Sequence, residues 1–242
     1  MTLRSYTLQA FASLKLPREP WLIPGLLPGG GWTLLMAPSK AGKSLLALQL
    51  VDALVSGSRF LGFPCHQTPR VYYIQADAPI SDWQGQVQAL TPTSQARTII
   101  LSQQCLSIPG LQADLTGLLK REQATFVVWD ALYKLGTWDL NTPDGTRTAL
   151  QTIKNIHPGI PFLLIHHVAK WTTRPEGIDA GVYAAAGSFT LVSDASTVWG
   201  LRQNGLTVTG RTIRTMTLPI KQGEGGRWER LGAAPVGGLL GL

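Results

Sequence analysis

Residues 37–44 read A-P-S-K-A-G-K-S, and Gly42, Lys43 and Ser44 fill the last three fixed positions of the phosphate-cradling pattern G-x-x-x-x-G-K-[S/T]. The β- and γ-phosphates of a nucleotide need backbone N–H donors, a flexible ammonium and a hydroxyl that can ligate magnesium. Ser39, Lys40, Ala41, Gly42 and Leu45 would contribute to the cradle, with Lys43 as the ammonium and Ser44 as the hydroxyl. Ala37 stands where the pattern has its first glycine, so the match leans on its context: a buried strand before it and a helix after it. A second element is Phe126-Val127-Val128-Trp129-Asp130. An acid closing a buried strand beside such a loop can hold magnesium through water, which makes Asp130 the expected partner of Ser44. The competing reading is a turn or helix-cap aspartate.

These residues need elements to hold them. Residues 33–37 (T-L-L-M-A) form a short apolar run of the buried parallel-strand type, and residues 44–56 carry helical periodicity up to Gly57. Further strands are predicted over 70–75, 98–102, 126–129 and 162–165, with helices around 80–90, 111–121 and 145–156. Strands alternating with helices predict an α/β fold with a mostly parallel sheet flanked by helices. The texture then changes: 188–201 mixes apolar and small residues, while 206–218 and 227–231 alternate as hairpin strands do, predicting antiparallel strands at the C-terminal edge. Residues 1–31, with Pro17, Pro20, Pro24 and Pro28 and a closing Gly29-Gly30-Gly31, read as an extended lead-in with turns, able to touch a neighbouring subunit. The expected division is that lead-in, an ATPase domain over 32–231, and a flexible tail over 232–242.

At 242 residues, 44% hydrophobic and 14% charged, the chain suits one large α/β domain. No apolar run nears the ~20 residues that span a bilayer, and residues 1–15 lack a secretory leader's apolar core and cleavage site, so a cytoplasmic protein with no membrane partner is expected. Cys65 and Cys105 lack metal-ligand spacing and are expected as reduced thiols, with neither disulfide nor zinc. A net charge of +7 fits a phosphate-bearing partner, although the positive charge is dispersed.

With both nucleotide elements in view, the sequence resembles the RecA-like hexameric ATPases, and within them the plasmid and phage RepA-type replicative helicases built from a single ATPase core. The resemblance rests on W-L-I-P-G-L-L-P-G-G-G-W-T-L-L-M-A, the helix 44–56, W-D-A-L-Y-K-L, I-H-H-V-A-K at 165–170 and A-G-S-F at 186–189. It implies a magnesium- and ATP-dependent ring, a hexamer on single-stranded DNA, with each nucleotide between adjacent subunits and priming supplied by a separate primase or primase-polymerase. Lys43 and Ser44 would hold ATP and magnesium, Asp130 would be the magnesium-side acid, and His166 or His167 would sense the γ-phosphate. The family places a catalytic glutamate after the next strand, where this chain has Gln75-Ala76-Asp77. Asp77 is the carboxylate able to orient the attacking water, with a shorter reach. Related rings also carry a K-x-R pair near the C-terminus that acts on the adjacent subunit's nucleotide. Here Lys221 remains and the arginine does not, leaving Arg202 as the first substitute, ahead of Arg211 and Arg214.

DNA contacts in such rings come from two loops, matching roughly 134–147 and 170–187 here. The second bears Lys170, Trp171, Arg174 and Tyr183, which combine phosphate attraction with aromatic stacking. Three functions therefore compete: a DNA-translocating ring helicase, a nucleotide-dependent DNA-binding or loading factor with weak hydrolysis, and a regulatory ATPase acting on protein.

Overall fold

The structure, a computed structural model, describes residues 5–15, 20–90, 95–101, 103, 105–108, 110–168 and 189–232. The chain begins with α1 (Leu8–Ala12), the hairpin β1 (Trp21–Ile23) and β2 (Leu27–Pro28), then β3 (Trp32–Ala37), α2 (Lys43–Ser56) and the small hairpin β4 (Arg59–Phe60) and β5 (Phe63–Pro64). Next come β6 (Val71–Gln75), α3 (Ile80–Leu90), β7 (Arg97–Ile100), α4 (Leu111–Arg121), β8 (Phe126–Asp130), α5 (Leu132–Leu135), α6 (Pro143–Ile156) and β9 (Phe162–His167). Helix α7 (Phe189–Asp194) precedes β10 (Thr197–Arg202), β11 (Gly205–Gly210), β12 (Ile213–Leu218), β13 (Ile220–Gln222) and β14 (Trp228–Arg230).

Eight strands form one sheet in the order β12-β11-β10-β3-β9-β8-β6-β7. The pairs from β10 across to β7 are parallel, whereas β10-β11 and β11-β12 are antiparallel, as expected for the C-terminal edge. Residues 227–231 depart from that expectation: β14 pairs with β13 in a separate two-stranded sheet. The cause is α2, whose Gln49 side chain accepts from Trp228 N (2.9 Å) and donates to Trp228 O (2.8 Å), satisfying the strand's backbone away from the main sheet.

Alternation along the strands sends neighbouring residues to opposite sheet faces. Leu35, Tyr73, Val128 and Ile165 share one core with α2, while Leu34, Ile74, Trp129 and Leu164 share the other with α4 and α6. Helix α2 ends at Gly57, whose φ of 66° lets its N–H reach back to Ala53 and Leu54 carbonyls. Helix α6 starts two residues before the expected 145 because Thr142 caps it, accepting from Gly145 N, and Pro143 occupies the first turn. Its buried stripe Thr146, Ala149, Leu150, Ile153 and Ile156 has helical spacing. The lead-in is less irregular than its prolines imply. Thr7 caps α1, and Leu22, Ile23, Leu26 and Leu27 are buried in the α2-side core, so the stretch from 21 belongs to the domain.

Beneath α6, His157 Nε2 accepts from Trp129 Nε1 at 2.9 Å, and the two rings stack. Burial holds this imidazole down from 6.5 to about 4. An unfolded His157 takes a proton below pH 6.5 while the folded one does not, so its stabilising contribution is whole above pH 6.5 and is lost as the pH falls toward 4. The full loss from this group is about 3 kcal/mol. Urea unfolding at about pH 7 and about pH 4.5 should therefore show a fall in stability that is smaller in His157→Gln; equal falls would contradict this role.

Candidate nucleotide site

The residues singled out for phosphate chemistry meet at the C-terminal ends of β3, β6, β8 and β9, the end of a parallel sheet where α/β folds bind ligands. Between β3 and α2 the loop turns through two left-handed positions, Lys40 at φ 63° and Gly42 at φ 81°. Gly42 suits glycine twice over, since a Cβ there would also lie 3.0 Å from the Trp228 ring, whose Nε1 donates to Gly42 O at 3.1 Å. Ala37 is the last residue of β3, paired with His167, and has no positive φ. Its backbone thus makes no demand for glycine, which explains why the pattern's first position tolerates a methyl group.

Lys43 is buried, and its Nζ donates to Ala37 O (3.1 Å) and Pro38 O (2.7 Å). An ammonium has three donors, so one N–H remains for an anion in the loop. Burial lowers its pKa to about 8, against the pull of Asp130 and Asp77, so it is still mostly charged at neutral pH.

Asp130 is fully buried at the end of β8. Its Oδ2 accepts from Tyr73 Oη at 2.7 Å, and Ser44 also hydrogen-bonds the carboxylate, but Oδ1 has no protein partner. Burial pushes this carboxyl above its ordinary range, with Tyr73 and Ser44 opposing the shift. A buried, uncompensated carboxylate oxygen next to a hydroxyl fits a hard divalent cation, whose charge would offset that desolvation. Tyr73 escaped the sequence reading; the signal for it was a tyrosine inside a buried strand at the same parity as Gln75, needing a partner for its hydroxyl.

The two histidines lie within β9 rather than after it, because the strand keeps its register with β3 as far as Ala37–His167. Strand parity then separates them. His167 shares the face of Leu163 and Ile165 with α2, whereas His166 falls on the face of Leu164. His166 is buried with Nδ1 unpartnered, and burial holds its pKa down to about 4. His167 Nε2 lies 3.3 Å from Asp77 Oδ2.

Asp77 follows β6. Its backbone N–H donates to Gln75 Oε1 (2.5 Å), as does that of Ala78 (3.2 Å), while its Oδ1 accepts from Tyr133 Oη (2.5 Å). The hydrogen bond from His167, then that from Tyr133, hold the Asp77 carboxyl below its ordinary value against burial, so it is ionised at neutral pH. Neither Gln75 nor Tyr133 was singled out in sequence.

Other expected residues lie apart from this cluster or outside the described ones. Lys221 is exposed on β13, paired in register with Glu229. Arg202 ends β10 and lines a polar surface cavity with Asn204 and Thr217. Lys170, Trp171 and Arg174 fall outside the described residues. Of the first expected loop, 136–142 joins α5 to α6 and the remainder is helical. Among the described residues no helix is long and apolar enough to cross a membrane, and Cys65 and Cys105 are free thiols.

Comparison with known proteins places this geometry. No curated protein is significantly similar to the chain. Among solved structures it is similar to the KaiC-like protein PH0186 from the hyperthermophilic archaeon Pyrococcus horikoshii OT3, at 13% identity and a TM-score of 0.58, covering 87% of this chain and 94% of that one. It is also similar to the ATPase domain of a phage helicase, at 12% identity and a TM-score of 0.61, covering 84% of this chain and 85% of that one. At these identities the likeness shows the fold alone. The family model described as AAA domain matches residues 3–172, and the chain belongs to that family, with a RecA-like P-loop ATPase core.

Proposed function

We propose that the chain is an ATP-driven motor of the plasmid or phage replicative helicase type, acting as a ring, a hexamer by its resemblance, on single-stranded DNA. The observation that carries the reading is the convergence of Lys43, Ser44, Asp130 and Asp77 on the P-loop end of the sheet, with electrostatic coupling among Lys43, Asp77 and Asp130. The net charge of +7 and the sequence resemblance support DNA as the partner.

The loop N–H groups and Lys43 would bind the β- and γ-phosphates. Ser44 and Asp130 would hold magnesium, which when bound neutralises charge on the phosphate oxygens. Asp77, ionised and on the same side, would orient the water that attacks the γ-phosphorus as the bond to the bridging oxygen breaks, leaving ADP and phosphate. Lys221 or Arg202 of a neighbouring copy would stabilise the charge developing there. A separate primase would supply primers.

Strand displacement tests this reading: a forked duplex with a labelled strand should be separated with ATP and left intact with a non-hydrolysable analogue. A second reading, the loading factor, is favoured by one feature, since aspartate is one methylene shorter than glutamate and both Asp77 oxygens already have protein partners. ATP-dependent single-strand binding without strand displacement would select it.

A further inference from the structure

Asp77, Tyr133 and His167 close a triangle in which each side chain touches the other two. Tyr133 donates to Asp77 Oδ1 at 2.5 Å, His167 faces Oδ2 at 3.3 Å, and the Tyr133 ring meets the His167 ring edge-on with centroids 4.7 Å apart. The Asp77 main chain is held by its own strand through Gln75 Oε1, so its carboxylate depends on two other elements for orientation.

Tyr133 is the exposed corner. Helix α5 has four residues, of which Leu132 and Leu135 are fully buried, while Tyr133 is 41% exposed and carries Lys134 Nζ 5.0 Å from its ring centroid. A half-exposed ring gains little from burial, so its hydroxyl contact is its main tie to the site. Residues 136–142 leave directly from this helix, and His167 ends the strand that leads toward residues 170–187. The triangle therefore joins the roots of both segments expected to face DNA to the carboxylate expected to orient water.

We propose that Tyr133 is a positioning residue for Asp77, fixing the carboxylate through its hydroxyl and making turnover respond to DNA on the adjoining segments. This rests on the reading of Asp77 as the water-orienting carboxylate and of DNA as the partner. Because aspartate has one side-chain torsion fewer than glutamate and a shorter reach, an anchored rotamer matters more, and misplacement near ~1 Å costs about 100-fold in comparable cases. The hydroxyl's bond uses one lone pair of Oδ1, and the carboxylate keeps sites for water.

The test is a double-mutant cycle on the full chain, with phosphate release measured at saturating magnesium and ATP, with and without a single-stranded oligonucleotide. Tyr133→Phe should lower turnover about 10-fold with DNA, reduce the ratio of DNA-stimulated to basal turnover, and leave affinity for a fluorescent ATP analogue unchanged. In an Asp77→Asn background the same change should have no further effect. An equal loss in both backgrounds, or a weakened KM with unchanged kcat, would overturn the positioning role while leaving Asp77's role intact. If Asp77→Asn itself left turnover unchanged, or the unmodified chain showed no DNA-stimulated turnover, the underlying reading would fail and this inference with it.

Discussion

Lys43→Met is expected to weaken ATP binding by about 100-fold or more and to lower turnover about 1,000-fold, with the chain still folded. Hydrogen bonds to a charged group contribute about 1.5–3 kcal/mol each, and the ammonium would contact both terminal phosphates. Methionine keeps the buried stem, so the change removes charge and donors with little loss of packing volume. What it does remove structurally is the pair of hydrogen bonds to Ala37 O and Pro38 O, which tie the loop's entry to its exit. A modest drop in thermal midpoint should accompany the loss of affinity. Titration with a fluorescent ATP analogue checks this; binding within a factor of about three of the unmodified chain would show that the phosphates sit elsewhere.

Asp130→Asn should separate function from stability. At neutral pH the ionised carboxylate is fully buried, receives hydrogen bonds from Tyr73 and Ser44, and leaves Oδ1 without a partner. Burial raises its pKa, so the charge costs folding free energy above that pKa and the cost is relieved as the carboxyl is protonated. Asparagine keeps the shape and can still accept from Tyr73 while removing the charge. The thermal midpoint should rise by a few degrees, equivalent to about 1 kcal/mol, while magnesium-dependent turnover falls about 1,000-fold. A variant both less stable and fully active would mean that Asp130 is a structural cap.

The phosphate loop, the strand acid and the order of strands and helices were legible in the sequence because each is local: an apolar run, a Gly-Lys-Ser, an aspartate at a strand end. Helices 80–90 and 111–121 keep the limits their periodicity implies. What escaped depends on partners far along the chain. Tyr73 and Asp130 are 57 residues apart, Tyr133 and Asp77 are 56, and Gln49 reaches Trp228 across 179. Nothing in Tyr133's neighbours marks it as a partner of Asp77 until β6 and β8 lie side by side. The histidine pair was ambiguous for a different reason: how far the strand runs past Ile165 settles which side chain shares the face of α2, and that depends on β9 holding its register with β3. In the same way β14 looked like a sheet edge strand from its alternation, and the Gln49 amide diverts it.

The most direct measurement is phosphate release from ATP and magnesium by the full chain, with and without single-stranded DNA, alongside Lys43→Met and Asp77→Asn. Turnover stimulated about 10-fold or more by DNA, and abolished in both variants, is the predicted result. Phosphate release no faster than that of Lys43→Met, with DNA present and ATP saturating, would contradict the account.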